Sequence, residues 1–426
     1  MAPTRTLRRL FALIAALALL ATACGDGEAT DDTTGGNGGT AADTTEGGDD
    51  TGAQLNVDAI LAAGDDCQEP SGDPLVIGYA ADLSEVGGYA DGPGSQAAEF
   101  MAELINCSGG VDGTPVDVIV EDIQGDPEVT QRAAQDLLDA GVHAILGPPF
   151  SDFGLPLLTA VNQQVPVIFV ASTEEVLSDS SIGAFLTAFD DTAQATAAAE
   201  FALEQGWETA VTFSSPDAPY FEQNPRIFGE VLEAGGGEVL ADYTYSLGAE
   251  DYSTQVNQLA ALETPPDVIY TSNIMPFVGT MIGQIRGAGI ESEIIGADSF
   301  DATSVIEAGD VADGVYYTTH GFPSEGSRME AFLAAYEEAR GEPLETISFG
   351  TLAADAVLIV ANAYAEAGST DAQALIDAIS SAEDLDLVTE TVTYAGTTGT
   401  PIKPVFIHQI QDGEPTLAGS ITPGEG

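Results

Sequence analysis

Residues 74–106, PLVIGYAADLSEVGGYADGPGSQAAEFMAELIN, carry the two periodicities that decide the fold. The opening PLVIGYAAD is an unbroken apolar run of strand length, as expected of a strand covered on both faces. The closing GSQAAEFMAELIN (94–106) places apolar residues at 97, 98, 101, 104 and 105, which is one face of a helix. The alternation then repeats. PVDVIVED (115–122), VHAILGPP (142–149), VPVIFVAS (165–172), TAVTFSS (209–215), DVIYTSN (267–273) and SEIIGADS (292–299) read as further strands. PEVTQRAAQDLLDAG (127–141) and QATAAAEFALEQG (194–206) read as helices between them. Strand and helix in turn predict an α/β protein of parallel sheets with helices on both faces, and about 370 residues of such chain suffice for two domains. In sheets of this kind ligands bind beyond the carboxyl ends of the strands, so the loops after each run are where the chemistry is sought.

The chain before this region reads differently. Arg5, Arg8 and Arg9 precede the apolar run LFALIAALALL (10–20), and Ala21-Thr22-Ala23 supply small residues, the pattern of an export signal over 1–23. Eleven apolar residues are too few for a spanning helix, which takes about 20. A small residue directly before Cys24 resembles the bacterial lipobox, so Cys24 is the expected lipidation site, with ordinary signal cleavage and free secretion as the alternative. Paired arginines also leave twin-arginine export open beside the general route. Residues 24–54 are rich in Gly, Thr and Asp, with almost nothing to bury, and are expected to form a flexible tether reaching roughly 30 Å. Cys67 and Cys107 remain as an even pair in an oxidising compartment, which predicts a disulfide between them, the alternative being two buried thiols.

Nine cations stand against 69 acids; removal of the three signal arginines leaves six, a formal charge of −63. Nucleic acid and anionic lipid headgroups are repelled by such a surface. Self-repulsion of this size falls when salt shortens the screening length, so exposure to high external salt is the expectation, against the alternative of a generally acidic secretome.

Enzyme signatures are weak. GPGSQA (92–97) satisfies a dinucleotide GxGxxA pattern but starts about a dozen residues after its strand and carries a proline, so a Gly-rich loop giving close backbone approach is the better reading. There is no GxSxG elbow, and Lys403, the sole lysine, ends no phosphate-binding loop. His143 falls in the strand VHAILG and reads as a packed core residue rather than a partner of Ser151 and Asp152. His143, His320 and His408 are far apart, and no metal site, cofactor or catalytic set is expected. What does stand out is a pair of strand-end hydroxyl clusters, Ser151 after Gly147-Pro148-Pro149-Phe150 and Ser172-Thr173 after Val170-Ala171. Each offers a backbone N–H and a hydroxyl at a helix opening, which suits a carboxylate without a cation, though either cluster alone serves equally as an ordinary N-cap.

From about 74 to 413 the chain resembles the type I periplasmic binding proteins of the leucine/isoleucine/valine group. The resemblance rests on Ile105-Asn106 with Gly109-Gly110-Val111-Asp112-Gly113, Asp122 with Asp126-Pro127, Ala144-Ile145-Leu146-Gly147-Pro148, Asp191-Thr192-Ala193-Gln194, Tyr252-Ser253, Ile285-Arg286-Gly287-Ala288-Gly289 and Gly314-Val315-Tyr316. It implies two doubly wound parallel-sheet lobes joined by three crossover hinge segments, closing on a ligand: 55–188 with 320–394 as one lobe, and 189–319 with 395–420 as the other. The implied role is a monomeric, lipid-anchored receptor on the outer face of the cell membrane. It would deliver a small molecule, a branched-chain or other neutral amino acid, to an ABC transporter permease. Carried over by position, Ser151, Ala171 and Thr173 hold the ligand's α-carboxylate and part of its ammonium group, with Ser172 adding a hydroxyl. Asp298 pairs with the ammonium, Tyr220 covers the ligand, and Tyr89 joins the binding set. Ile274 stands where branched-chain binders carry a second tyrosine, and Glu85-Val86 replaces the usual small pair. A receptor for urea, short amides or another small polar solute, or a sensory lipoprotein uncoupled from transport, would share the fold.

Overall fold

The structure, a computed structural model, describes residues 54–63, 67, 70–84, 87–274, 277–301 and 309–423. The export signal, Cys24, most of the tether and Glu85-Val86 therefore lie outside the described residues.

The run at 74–82 forms β1 (Leu75–Ala81), buried along nearly its whole length because sheet neighbours flank it and helices cover both faces. It lies at the switch point of a five-stranded parallel sheet with β2 (Val116–Asp122), β3 (Ala144–Gly147), β4 (Val167–Phe169) and β5 (Ala184–Leu186), in the order β2-β1-β3-β4-β5. Register is set by apolar pairs such as Leu75 with Val116 and Ile77 with Val118. Gly78 lets the covering helix Pro127–Ala140 come close: a Cβ there would lie 3.0 Å from Leu137. That helix starts on the Asp126 side chain, which accepts from Glu128 N and Val129 N, and stops at left-handed Gly141. The disulfide joins Cys67 to Cys107 at the end of the helix Gly88–Cys107.

That helix begins earlier than the sequence suggests. GPGSQA is helical, not a loop, and Gly94 packs where a Cβ would meet the Tyr79 hydroxyl at 3.0 Å. The start is fixed by Asp91, fully buried, which accepts from Tyr79 Oη (2.7 Å) and Asp82 N (2.7 Å). His143 is half-buried at the sheet end rather than packed in the core; its Nδ1 accepts from Val76 N at 3.0 Å and ties β1 to β3.

The second sheet has seven strands: β6 (Thr209–Ser214), β7 (Glu238–Thr244), β8 (Val268–Thr271), β9 (Glu293–Gly296), β10 (Tyr316–Thr319), β13 (Val405–Gln411) and β14 (Glu414–Ile421), ordered β14-β13-β10-β9-β8-β6-β7. A short ribbon, β11 (Leu385–Asp386) with β12 (Thr391–Val392), lies between β10 and β13 in sequence. The sheet is not wholly parallel. β13 runs antiparallel to β10 and to β14, across a two-residue turn in which Asp412 (φ 53°) and Gly413 (φ 82°) are both left-handed. An Asp-Gly pair suits this turn because both positions need positive φ.

Residues between β10 and β13 return to the first lobe. The helix Ile347–Ala367 buries most of its length against Gly88–Cys107; it is long and apolar enough to cross a membrane but is a core helix here. The chain thus passes between lobes three times, after β5, after β10 and before β13. The first and third passages are bonded together, with Leu186 N donating to Gly399 O at 2.9 Å and Tyr394 Oη to Leu186 O at 2.7 Å.

Candidate functional site

The expected site residues stand at the carboxyl ends of strands in both lobes. Ser151 opens the helix Ser151–Val161 after β3, and Ala171, Ser172 and Thr173 follow β4. Across from them, Tyr220 lies in the first turn of the helix Pro219–Ala234, Ile274 follows β8 and Asp298 follows β9. The lobes meet here: the Phe150 ring is 6.5 Å from that of Tyr220 and 6.2 Å from that of Phe221. Ile274 is buried in the apolar cluster that holds these three rings. Tyr89 packs edge-on against Phe349, and burial, with the charge of Asp298 next, raises its hydroxyl far above the ordinary range.

Asp298 is 3% exposed and accepts from Tyr220 Oη at 2.6 Å. Its other oxygen lies 3.0 Å from His320 Nε2, which sits where the chain leaves β10 for the first lobe. The Phe189 ring stacks on His320 at 4.0 Å. Burial lowers the pKa of His320 and outweighs the opposing pull of Asp298, so a neutral imidazole donates from Nε2. Its Nδ1 is buried with no hydrogen-bond partner among the described residues.

A second knot lies beside this one. The Asp191 carboxylate accepts from Thr173 Oγ1 (2.6 Å), Asn224 Nδ2 (2.8 Å) and Gln194 Nε2 (3.0 Å). Gln194 Oε1 in turn accepts from Asp298 N and Thr318 Oγ1, both at 3.1 Å. One glutamine therefore links the Asp191 carboxylate to the backbone N–H of Asp298. Burial raises the pKa of Asp191, and the charges of Glu174 and Asp298 push it further.

At Ser151 both donors are already engaged. Ser151 N donates to Glu174 Oε2 and Ser151 Oγ to Glu174 Oε1, each at 2.6 Å, and Glu174 is 5% exposed. Burial raises the Glu174 pKa; the two bonds from Ser151 work against it, and Asp152 adds to it. Ser172 Oγ accepts from Glu174 N at 3.3 Å, and Ala171 is core packing of the first lobe. The Thr173 hydroxyl is spent on Asp191.

Glu174, Asp191, Gln194 and His320 were not singled out as site residues. Asp191 and Gln194 had a signal in the DTAQ motif, whereas nothing local marks Glu174 or His320. Among the described residues no group of three His, Cys, Asp or Glu side chains is arranged to hold a metal ion.

Residues 74–415 match the family model described as periplasmic binding protein. The Leu/Ile/Val-binding protein BraC3 of Rhizobium johnstonii is 24% identical over 328 residues, 76% of this chain and 88% of that protein. The crystal structure of the branched-chain amino acid substrate-binding protein LivJ of Streptococcus pneumoniae, in complex with isoleucine, superposes with a TM-score of 0.73. It is 21% identical, and the match covers 82% of this chain and all of that one. A solute-binding protein of R. palustris in complex with benzoate has the same fold, with a TM-score of 0.72, 17% identity and coverage of 82% and 97%.

Proposed function

The chain belongs to the periplasmic binding protein family, and from that premise we propose that it is an extracytoplasmic receptor handing a neutral amino acid to an ABC importer. One observation carries the ligand class: hydrogen-bond donors able to hold a carboxylate, on Ser151, and a buried carboxylate, Asp298, lie on facing strand ends of the two lobes. A zwitterion laid between them would meet donors at one end and an acceptor at the other. A buried charge facing a ligand is favourable only when the ligand supplies its partner. Closure would draw the lobes together about the three crossings, with Tyr220 and Tyr89 as walls and Ile274 limiting the apolar end. Lipidation at Cys24 would keep the receptor at the outer membrane face, held on the tether.

Calorimetry across neutral, acidic and basic amino acids, short amides and sugars tests the ligand class. Asp298→Asn should weaken amino-acid binding by about 1–3 kcal/mol, because an ammonium would lose its counter-charge. Unchanged affinity removes Asp298 from the site. The acidic surface makes a second prediction: the melting midpoint should rise between low and molar sodium chloride, and a flat response would remove the saline reading.

A further inference from the structure

The donors at Ser151 form a built anion clamp. A backbone N–H at the start of an eleven-residue helix and a hydroxyl hold the two oxygens of one carboxylate, one donor to each. The carboxylate is the chain's own, Glu174.

We propose that Glu174 is a specificity-determining residue that competes with the ligand for this clamp, so that an amino acid binds only by expelling it. The idea rests on the amino-acid reading above. Each donor of Ser151 carries a single hydrogen, and both are committed at 2.6 Å. A second carboxylate cannot join without one being displaced, and none of the charges acting on Glu174 or Asp191 would draw a second anion in. Asp152 acts on Glu174, and Glu174 and Asp298 act on Asp191, all of them acidic.

Displacement has a route. Glu174, itself 5% exposed, is followed by the short turn Glu175–Leu177, whose Val176 is 60% exposed, so the chain reaches solvent two residues beyond it. The backbone before it is anchored independently: Thr173 O accepts from Asp191 N at 2.8 Å and Thr173 Oγ1 donates to Asp191. Rotation of Glu174 outward therefore leaves β4 and the start of the second lobe in place. The effect is a threshold. A solute that offers only a carboxylate exchanges one anion for another and gains little. An amino acid, whose ammonium also reaches Asp298, gains the second contact that makes the exchange favourable.

The test compares wild type, Glu174→Ala and the isosteric Glu174→Gln, each checked for folding by circular dichroism. Two probes are used: amino acids by calorimetry, and acetate by thermal shift at fixed ionic strength. The expected result is about tenfold tighter amino-acid binding in both variants, equivalent to about 1.4 kcal/mol. Acetate should also stabilise the variants at lower concentration than it does wild type. Adding Ser151→Ala to Glu174→Ala should abolish both gains. Unchanged or weaker amino-acid binding, with no change in the acetate response, overturns the competitor role while leaving the receptor reading intact. If no amino acid binds any form but acetate still prefers the variants, the competitor role stands and the amino-acid reading falls.

Discussion

Asp355 and Asp298 are both buried carboxylates, 0% and 3% exposed, and their surroundings differ in one respect that decides what each can do. Asp355, midway along the core helix Ile347–Ala367, accepts from Val388 N (2.6 Å), Thr389 N (3.3 Å) and Thr389 Oγ1 (2.5 Å). Thr389 Oγ1 also accepts from Lys403 Nζ at 3.1 Å, and Lys403 is the chain's only lysine. Burial raises the Asp355 pKa to about 6, and the charge of Lys403 is the largest effect opposing that rise. Asp298 has donors too, Tyr220 and His320, but neither carries a charge at neutral pH. A buried carboxylate with a resident cation is a fastening between the first lobe and the third crossing. One without a cation, at the meeting of two lobes, is where the proposed function places the ligand's ammonium group.

Lys403→Met should break this contrast with the largest effect. It leaves Asp355 buried without its counter-charge and should lower unfolding free energy by about 3–5 kcal/mol in denaturant titrations. Adding Asp355→Asn should recover part of that loss, since the uncompensated charge is then gone; no recovery would mean that Lys403 acts by packing alone. Asp298→Asn is the counterpart at the cleft. It should cost ligand affinity, as proposed above, while moving the denaturation midpoint far less than Lys403→Met does. A stability loss of similar size would place Asp298 with Asp355 as a structural group.

The smallest effect sharpens the role of His320. Burial depresses its folded pKa, so the unfolded chain takes up a proton near the ordinary value of about 6.5 while the folded protein does not. Stability from this group is therefore present above pH 6.5 and lost as the pH falls below it. His320→Gln lacks that loss. The stability advantage of wild type over the variant, measured at pH 7.5 and then at pH 5, should shrink. A constant difference would mean that His320 is not held neutral.

Much of the fold was legible because it rests on local pattern. The runs at 74–82, 142–149 and 292–299 are strands since covered strands must be apolar throughout, and Asp126 with Pro127 opens a helix as those residues do elsewhere. The antiparallel β13–β14 hairpin was missed although its Asp412-Gly413 turn was visible, because the alternating βα pattern before it argued for parallel strands throughout. At the site, resemblance led to Ser151 and Asp298 as positions, and the motif DTAQ marked a crossing without revealing that Gln194 links the Asp191 carboxylate to the backbone N–H of Asp298.

By itself the sequence determined where strands and helices form, that both lobes are of the same α/β kind, and that few cations are available to neutralise any buried acid. Only the tertiary structure decided which donors are already spent. Ser151 and Glu174 are 23 residues apart, Gln194 and Asp298 are 104 apart, and Lys403 reaches Asp355 through Thr389 from another part of the chain. Periodicity records which way a side chain faces over a few turns of backbone. Whether a hydroxyl is left for a ligand depends on what else the folded chain brings within 3 Å of it, and that distance has no counterpart in the order of residues.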